Sequence, residues 1–170
     1  MPPAARVLEV AGGKGDLSLA LTLAGYDVTL VDPQHKGISG RHRKRLKKAG
    51  RAPFGVVREF FDASSSARIV AAARPDLVVA LHPDECTEEV VDAALAASLP
   101  FAVVPCCVFS RLFAGRRLPS TGERVRTHGQ LCEFLAAKAV GTERAVLGFA
   151  GKPDVVFHRG GAVMCTAIDD

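Results

Sequence analysis

The sequence predicts an α/β fold, in which a doubly wound and mostly parallel sheet carries an antiparallel C-terminal hairpin. Short Val- and Leu-rich runs alternate along the chain with helical patterns. These runs are continuously apolar, as expected for strands that are covered on both faces. The length of 170 residues suits one domain, and no change in composition divides the chain. We therefore expect a single domain over residues 1–170.

The first βαβ unit is predicted near the N-terminus. Residues 7–10 and 28–31 are apolar runs that predict two strands. Residues 16–25 between them predict a helix, because Asp16 is placed to cap or charge its start and Gly25 can end it in the left-handed conformation. A further strand is expected shortly before Phe60.

The central part of the chain repeats this alternation. Leu77–Leu81 and Phe101–Val104 predict two more buried strands. Residues 88–97 between them predict a helix, with Thr87 as its N-cap and Val91, Ala94 and Leu95 on its inner face. The helix then connects two neighbouring parallel strands.

The C-terminal part predicts one helix and short closing strands. The helix is expected over residues 130–139, and the strands over residues 145–149, 155–158 and 162–167. Gly160 and Gly161 indicate a hairpin turn between the last two strands. Residues 110–129 contain glycine, proline and several arginines, and we expect them to form a loop over the edge of the sheet.

The composition excludes several classes of protein. Hydrophobic residues make up 48% and charged residues 24%, which argues against disorder, collagen and coiled coil. The apolar runs are too short to span a membrane, and the N-terminus lacks the apolar core of a signal peptide. Five cysteines, an odd number, argue against a disulfide framework. We therefore expect a cytoplasmic protein with reduced thiols, although a nuclear or organellar location stays open.

A basic segment lies between residues 33 and 58. It holds nine basic residues and no acidic one, whereas the rest of the chain has more acids than bases. Such a segment can bind phosphates, and it can equally be a solvated helix face. It contains no Tyr or Trp to stack on bases, so the signal is purely electrostatic. The candidate RNA contacts are Arg41, Arg43, Lys44, Arg45, Lys47 and Lys48.

A glycine-rich turn follows the first predicted strand and opens the first helix. Residues 9–15 read Glu-Val-Ala-Gly-Gly-Lys-Gly. The turn lacks the G-x-x-x-x-G-K-[ST] pattern of a phosphate-binding loop. A dinucleotide fingerprint would need a small residue at position 16, where Asp16 would repel a pyrophosphate. These two kinds of nucleotide site are therefore disfavoured.

The remaining pattern is E-x-[GA]-x-G-x-G, formed by Glu9, Ala11, Gly13 and Gly15, with Asp32 at the end of the second strand. It resembles the first motif and the ribose-binding acid of the Rossmann-like, class I S-adenosylmethionine-dependent methyltransferases. The resemblance implies that Asp32 holds the ribose, that the glycines pass under the methionine portion and that Glu9 supports the loop. Ala11 replaces the usual first glycine. Alanine still permits a tight turn if its φ is negative. A turn that only packs tightly, with Asp32 capping it, is the structural alternative.

Two further segments extend the resemblance. Leu81-His82 ends one strand and Pro105-Cys106-Cys107 ends the next, which resembles the methyltransferase subgroup that includes the transfer-RNA acceptor-stem 2′-O-methyltransferase. Pro83-Asp84-Glu85 and Val108-Phe109 depart from that subgroup's residues. The resemblance places Leu81 at the cofactor and implies an acid near adenine, for which Asp62 is the candidate.

His82, Asp84 and Cys106 are the candidate catalytic residues, because all three follow predicted strand ends. A histidine suits proton transfer near neutral pH, and it can equally cap a strand. Cys106 can act as a nucleophile on a pyrimidine or pack beside the cofactor.

Metal binding is a further alternative for the cysteines and histidines. His82 and Cys86 are spaced i, i+4, as are His128 and Cys132, and a zinc site would combine such a pair with Cys106 or Cys107. Without any C-x-x-C pair, we expect no metal.

The function predicted from these features is methyl transfer from S-adenosyl-L-methionine to RNA. The alternatives are a methyltransferase for protein or small molecules, and an inactive cofactor-binding or RNA-binding subunit. The short chain also leads us to expect a protein partner for substrate recognition.

Overall fold

The computed structural model describes residues 4–161. Helices alternate with strands through most of this range, as the sequence predicts. The strands are β1 (Arg6–Val10), β2 (Asp27–Val31), β3 (Gly55–Val57), β4 (Leu77–Leu81), β5 (Phe101–Val104), β6 (Glu143–Val146) and β7 (Asp154–His158). The helices are α1 (Asp16–Ala24), α2 (Gly40–Lys48), α3 (Ser66–Ala73), α4 (Thr87–Ala96) and α5 (His128–Ala136), and a 3₁₀ turn spans Asp84–Cys86.

The strands described form one sheet in the order β3-β2-β1-β4-β5-β7-β6. β1 to β5 are parallel, whereas β7 is antiparallel to both β5 and β6. The chain runs outward from β1 to β3 and then crosses back to β4, so the strand order reverses between β1 and β4. Ligands of doubly wound sheets bind at the carboxyl ends of the strands beside such a reversal.

Two hydrophobic cores cover the two faces of the sheet. Leu8 and Val10 of β1 pack in one core with residues of α3, α4 and α5, whereas Val7 of the same strand packs in the other with Leu19 of α1 and Leu46 of α2. This alternation along β1 arises because successive strand side chains point to opposite faces. The predicted doubly wound architecture is therefore confirmed.

The predicted central elements are confirmed within one or two residues, with one wrong assignment. Thr87 is not the N-cap of α4 but its first residue, and its hydroxyl donates to the carbonyl of Asp84 at 2.6 Å. The preceding 3₁₀ turn already begins the helical path, so the helix starts without a side-chain cap. Gly25 does end α1 in the left-handed conformation, with φ of 106°.

The C-terminal boundaries differ more from the sequence prediction. α5 begins two residues earlier than expected, because Thr127 and Gln130 form a capping box. β6 covers Glu143–Val146 rather than residues 145–149, because Val146 already pairs with Asp154 and the chain turns after it. The antiparallel hairpin is thus β6–β7. The strand expected over residues 162–167, and therefore the turn before it, cannot be compared, since that strand lies outside the described residues.

Within residues 4–161, no helix has the length and apolar character that crossing a bilayer requires.

Candidate functional site

A cleft of about 1240 Å³ opens at the carboxyl ends of the central strands. Six of the residues selected from the sequence line it, and they come from the segments that follow four different strands: Ala11, Gly13, Asp32, Asp62, His82 and Asp84. The reversal of strand order between β1 and β4 brings these segments together. Glu9, Gly15, Leu81 and Cys106 are not among the lining residues, and the first two are buried.

The glycine-rich loop is a strained turn between β1 and α1. Ala11 has φ of 56°, so the negative φ that would make alanine harmless at this position is not found. The left-handed conformation costs a residue with a Cβ about 1 kcal/mol or more. Gly13 and Gly15 also have positive φ, of 53° and 78°. At Gly12, by contrast, steric exclusion requires glycine, because a Cβ would lie 2.7 Å from Leu30 Cδ1.

Asp32 fastens this loop at the rim of the cleft. Its Oδ2 accepts a hydrogen bond from the Gly13 N–H at 2.9 Å, and its Oδ1 accepts one from the Gln34 N–H at 2.8 Å. A carboxylate has about four acceptor positions, so each oxygen keeps one for a ligand hydroxyl. The carboxylate is therefore oriented by backbone groups and still able to bind a diol.

Glu9 supports the loop from below. Its side chain is buried, and its carboxylate accepts a hydrogen bond from the Ser18 hydroxyl of α1. Burial raises the pKa of Glu9 to about 7, and the carboxylates of Asp16 and Asp32 add to this, whereas the Ser18 hydrogen bond opposes it. Glu9 thus titrates near neutral pH although it does not face the cleft.

His35 is a loop-supporting residue that the sequence reasoning missed. It is buried, and its Nδ1 lies 2.7 Å from the carbonyl oxygen of Gly13. Its backbone N–H donates to the carbonyl of Asp32, and its own carbonyl accepts from the Arg58 guanidinium. No motif marks His35, since its contacts join residues that are 22 positions apart. It links the glycine-rich loop to the turn that carries Asp32.

Phe60, Phe61 and Asp62 form the side of the cleft that follows β3. Phe60 is 70% exposed and presents an apolar ring to the cleft, whereas Phe61 is buried. Asp62 Oδ1 accepts hydrogen bonds from the N–H and the hydroxyl of Ser64, and these lower the pKa of Asp62. This wall therefore offers an aromatic surface beside an ionised carboxylate.

His82 and Asp84 line the opposite wall in strained conformations. Their φ angles are 54° and 49°, in the region that residues with a side chain seldom adopt. His82 Nδ1 is buried and has no hydrogen-bond partner among residues 4–161. Strain of this kind is typical of functional sites, where surrounding contacts hold it in place.

Cys106 contacts Asp84 rather than the cleft. Its thiol donates to Asp84 Oδ1 at 3.0 Å. Burial raises the pKa of the Cys106 thiol to about 12, and the hydrogen bond to Asp84 contributes to the shift. The thiol is thus protonated near neutral pH, which favours a positioning role over a nucleophilic one.

The cleft is lined by acidic residues far more than by basic ones. Glu59 pairs with Arg68, and Glu88 pairs with Arg116 and Lys138. Five lining carboxylates have no ion pair among the described residues: Asp32, Asp62, Asp84, Glu85 and Glu89. Lys14 and Lys36 are the lining cations. A ligand with a positively charged portion suits this field.

Comparison with protein-family models and with curated proteins gives no match. Among solved structures, the chain is similar to the S-adenosylmethionine-dependent methyltransferase SibL, with a TM-score of 0.56, 19% identity, and coverage of 93% of this chain and 51% of SibL. It is similar to an rRNA methylase from Streptococcus thermophilus, with a TM-score of 0.55, 11% identity, and coverage of 94% and 89%. A chain of a fibrillarin/Nop5p complex gives a TM-score of 0.57 at 13% identity, over 95% and 75%. This chain thus spans about half the length of SibL.

These similarities define the fold. The chain has the class I, Rossmann-like methyltransferase fold, as its strand order and its cleft position also indicate.

Proposed function

We propose that this chain binds S-adenosyl-L-methionine in the cleft and transfers its methyl group to RNA. The observation that carries the proposal is Asp32, whose carboxylate is held at the rim of the cleft by the N–H groups of Gly13 and Gln34. Its remaining acceptor positions suit the two hydroxyls of a ribose. The SAM-dependent methyltransferase SibL, which shares the fold, supports this choice of cofactor.

The other lining residues fit the same cofactor. A Cβ at Gly13 would meet nothing within 4 Å, so a ligand can approach the backbone there. Phe60 offers a flat surface for adenine, and Asp62 an acceptor for its amino group. The carboxylates without ion pairs suit the cationic sulfonium and amino groups. When bound, S-adenosylmethionine supplies an electrophilic methyl group.

His82 and Asp84 are placed to hold the acceptor. Both line the wall opposite Phe60 and Asp62, at the end of β4. We assign them the orientation of the acceptor and, where it must lose a proton, the acceptance of that proton. Cys106 positions Asp84 through its thiol hydrogen bond.

Helix α2 supports RNA as the acceptor. His42 and Leu46 are buried and face the protein, which leaves the six cations of this helix exposed. None of the six makes an ion pair within residues 4–161. Lys36 belongs to the same basic segment and lines the cleft, so the positive charge extends from α2 to the site. The rRNA methylase with this fold adds support.

Calorimetric titration with S-adenosylmethionine and S-adenosylhomocysteine tests the cofactor site. We expect wild-type binding and a loss of about tenfold to a hundredfold in Asp32→Asn, because hydrogen bonds to a charged group are weakened. Asp27→Asn, at the opposite end of β2, is the matched control and should bind normally. Absence of binding to the folded wild-type protein would refute the proposal.

Salt-dependent RNA binding tests the role of α2. Charge reversal at Arg43 and Lys44 should weaken binding and reduce the slope of log K against log salt by about 1 to 2. Reversal at Arg74 and Arg126, which are exposed but lie outside α2, is the matched control. Equal effects of the two double variants would remove α2 as the RNA contact.

The acidic cleft favours a second candidate acceptor, a basic protein segment. Asp84 and Glu85 line the cleft, have no ion pair in the described part of the chain, and would attract a cationic side chain rather than a phosphate. Labelled cofactor incubated separately with cellular RNA and with protein extract distinguishes the two acceptors. Cofactor binding without transfer to either one would indicate a binding subunit that needs a partner.

A further inference from the structure

A second cluster of chemically active side chains lies away from the cleft, between α5 and β7. His128 and Cys132 stand one turn apart on α5, and Asp154 is the first residue of β7. His128 Nε2 lies 3.2 Å from Asp154 Oδ2 and 3.6 Å from Cys132 Sγ. The three ligand atoms all lie within 4.8 Å of one another. None of the three residues lines the cleft.

Two of the three ligand separations match the edges of a tetrahedral zinc site, and the third, between Cys132 and Asp154, lies within 4.8 Å. Zinc bonds of about 2.0–2.1 Å to nitrogen or oxygen and about 2.3 Å to sulfur give ligand separations of about 3.3 Å for N···O and 3.5 Å for N···S. The observed 3.2 Å and 3.6 Å agree within about 0.2 Å. His128 therefore stands at the spacing from both Cys132 and Asp154 that a shared zinc ion requires.

We propose that His128, Cys132 and Asp154 bind a zinc ion, with water in the fourth position. The donor set of imidazole, thiolate and carboxylate is one that zinc accepts, whereas magnesium and calcium prefer oxygen ligands.

The surroundings of the cluster suit an ion. Cys132 is fully buried, whereas the side chains of His128 and Asp154 are 21% and 28% exposed, so the ion enters from their side. Arg144 of β6 lies 3.6 Å from Asp154 Oδ1, which orients the carboxylate and leaves Oδ2 toward His128. A ligating carboxylate held by such a neighbour is typical of metal sites.

The ion would join two elements that are distant in sequence. Asp154 is 26 residues from His128, and the β6 strand and its connections lie between them. A zinc bridge would thus tie α5 to the antiparallel end of the sheet. We assign it a structural role, separate from methyl transfer.

Cobalt substitution tests the site directly. Co²⁺ added to the purified, metal-free protein should produce a cobalt–thiolate charge-transfer band, and this band should be lost in Cys132→Ser. Cys107→Ser removes a thiol from the other cluster, near Asp84, and should leave the band unchanged. Absence of the band, or its persistence in Cys132→Ser with loss in Cys107→Ser, would overturn the proposal.

A second variant tests the site even if Cys132→Ser does not fold. Asp154→Asn keeps the shape of the side chain, and we expect it to fold and to bind Zn²⁺ about tenfold or more weakly in competition with a chromophoric chelator. Zn²⁺ at a hundredfold excess over its Kd should raise the wild-type melting temperature by roughly 5 to 10 °C. An unchanged melting temperature, or equal Zn²⁺ affinity of wild type and Asp154→Asn, would refute zinc binding at this cluster.

Discussion

Glu9→Gln should make the stability of this protein less dependent on pH. The pKa of Glu9 is raised from its ordinary 4.5 to about 7 by burial. The folded state therefore binds the proton more tightly than the unfolded chain does, so stability is greatest below about pH 4.5 and falls as pH rises through 7. Each pKa unit corresponds to about 1.36 kcal/mol, so the loss is roughly 3 kcal/mol in total and about 2.5 kcal/mol between pH 5 and pH 8.

The assay is urea unfolding of both proteins at pH 5 and pH 8. Far-UV circular dichroism is the suitable probe, because the chain has no tryptophan and one tyrosine. Glutamine has nearly the same shape as glutamate and still accepts a hydrogen bond from Ser18. From pH 5 to pH 8, the free energy of unfolding of the variant should therefore rise by about 2 to 3 kcal/mol relative to that of wild type. Glu123→Gln, at an exposed position that forms no ion pair with any residue of the range 4–161, should show no such gain. A stability difference between wild type and Glu9→Gln that is equal at both pH values would refute the argument.

Three further substitutions test the loop, a buried ion pair and a helix cap by urea unfolding. Gly12→Ala should cost about 1 to 3 kcal/mol, because its Cβ would lie 2.7 Å from Leu30 Cδ1. Arg116→Ala should cost about 2 to 3 kcal/mol, since Arg116 is buried against Glu88, although Lys138 continues to pair with that glutamate. Thr127→Ala should cost about 1 kcal/mol by removing the capping box of α5.

Each of these substitutions has a neighbouring control. Gly115→Ala places a Cβ in open space, and Arg117→Ala removes an exposed guanidinium. Ser120→Ala removes a hydroxyl that donates to the exposed Glu133. The controls should lie within about 0.5 kcal/mol of wild type. A control as destabilising as its partner would show that the named contact is not the cause.

Much of the fold could be predicted from local patterns. Apolar runs identified β1, β2, β4, β5 and β7, because strands buried on both faces need continuous hydrophobic side chains. The short β3 was expected only as a strand without bounds before Phe60, and the helix α3 was not assigned. β3 has three residues, none of which is fully buried, so its sequence carries little signal. The predicted range of β6 was shifted toward the C-terminus, because the end of this strand depends on its pairing with β7.

The site was also predicted only in part, because contacts between residues that are distant in sequence leave no local pattern. The glycine-rich turn and Asp32 were selected from the sequence as parts of one motif, whereas the 2.9 Å hydrogen bond that joins Gly13 to Asp32 is seen only in the structure. No sequence motif indicated the roles of His35 and Phe60. The hydrogen bond between Cys106 and Asp84 likewise joins residues 22 positions apart, on separate strand ends.

The class of fold, the glycine-rich turn and the acid after β2 follow from local sequence, because periodicity and turn chemistry act over a few neighbouring residues. The positive φ of Ala11, the burial that shifts the pKa of Glu9 and the contact between Asp154 and His128 follow from tertiary packing. These properties depend on what surrounds a side chain in space. That environment is formed when distant segments pack together.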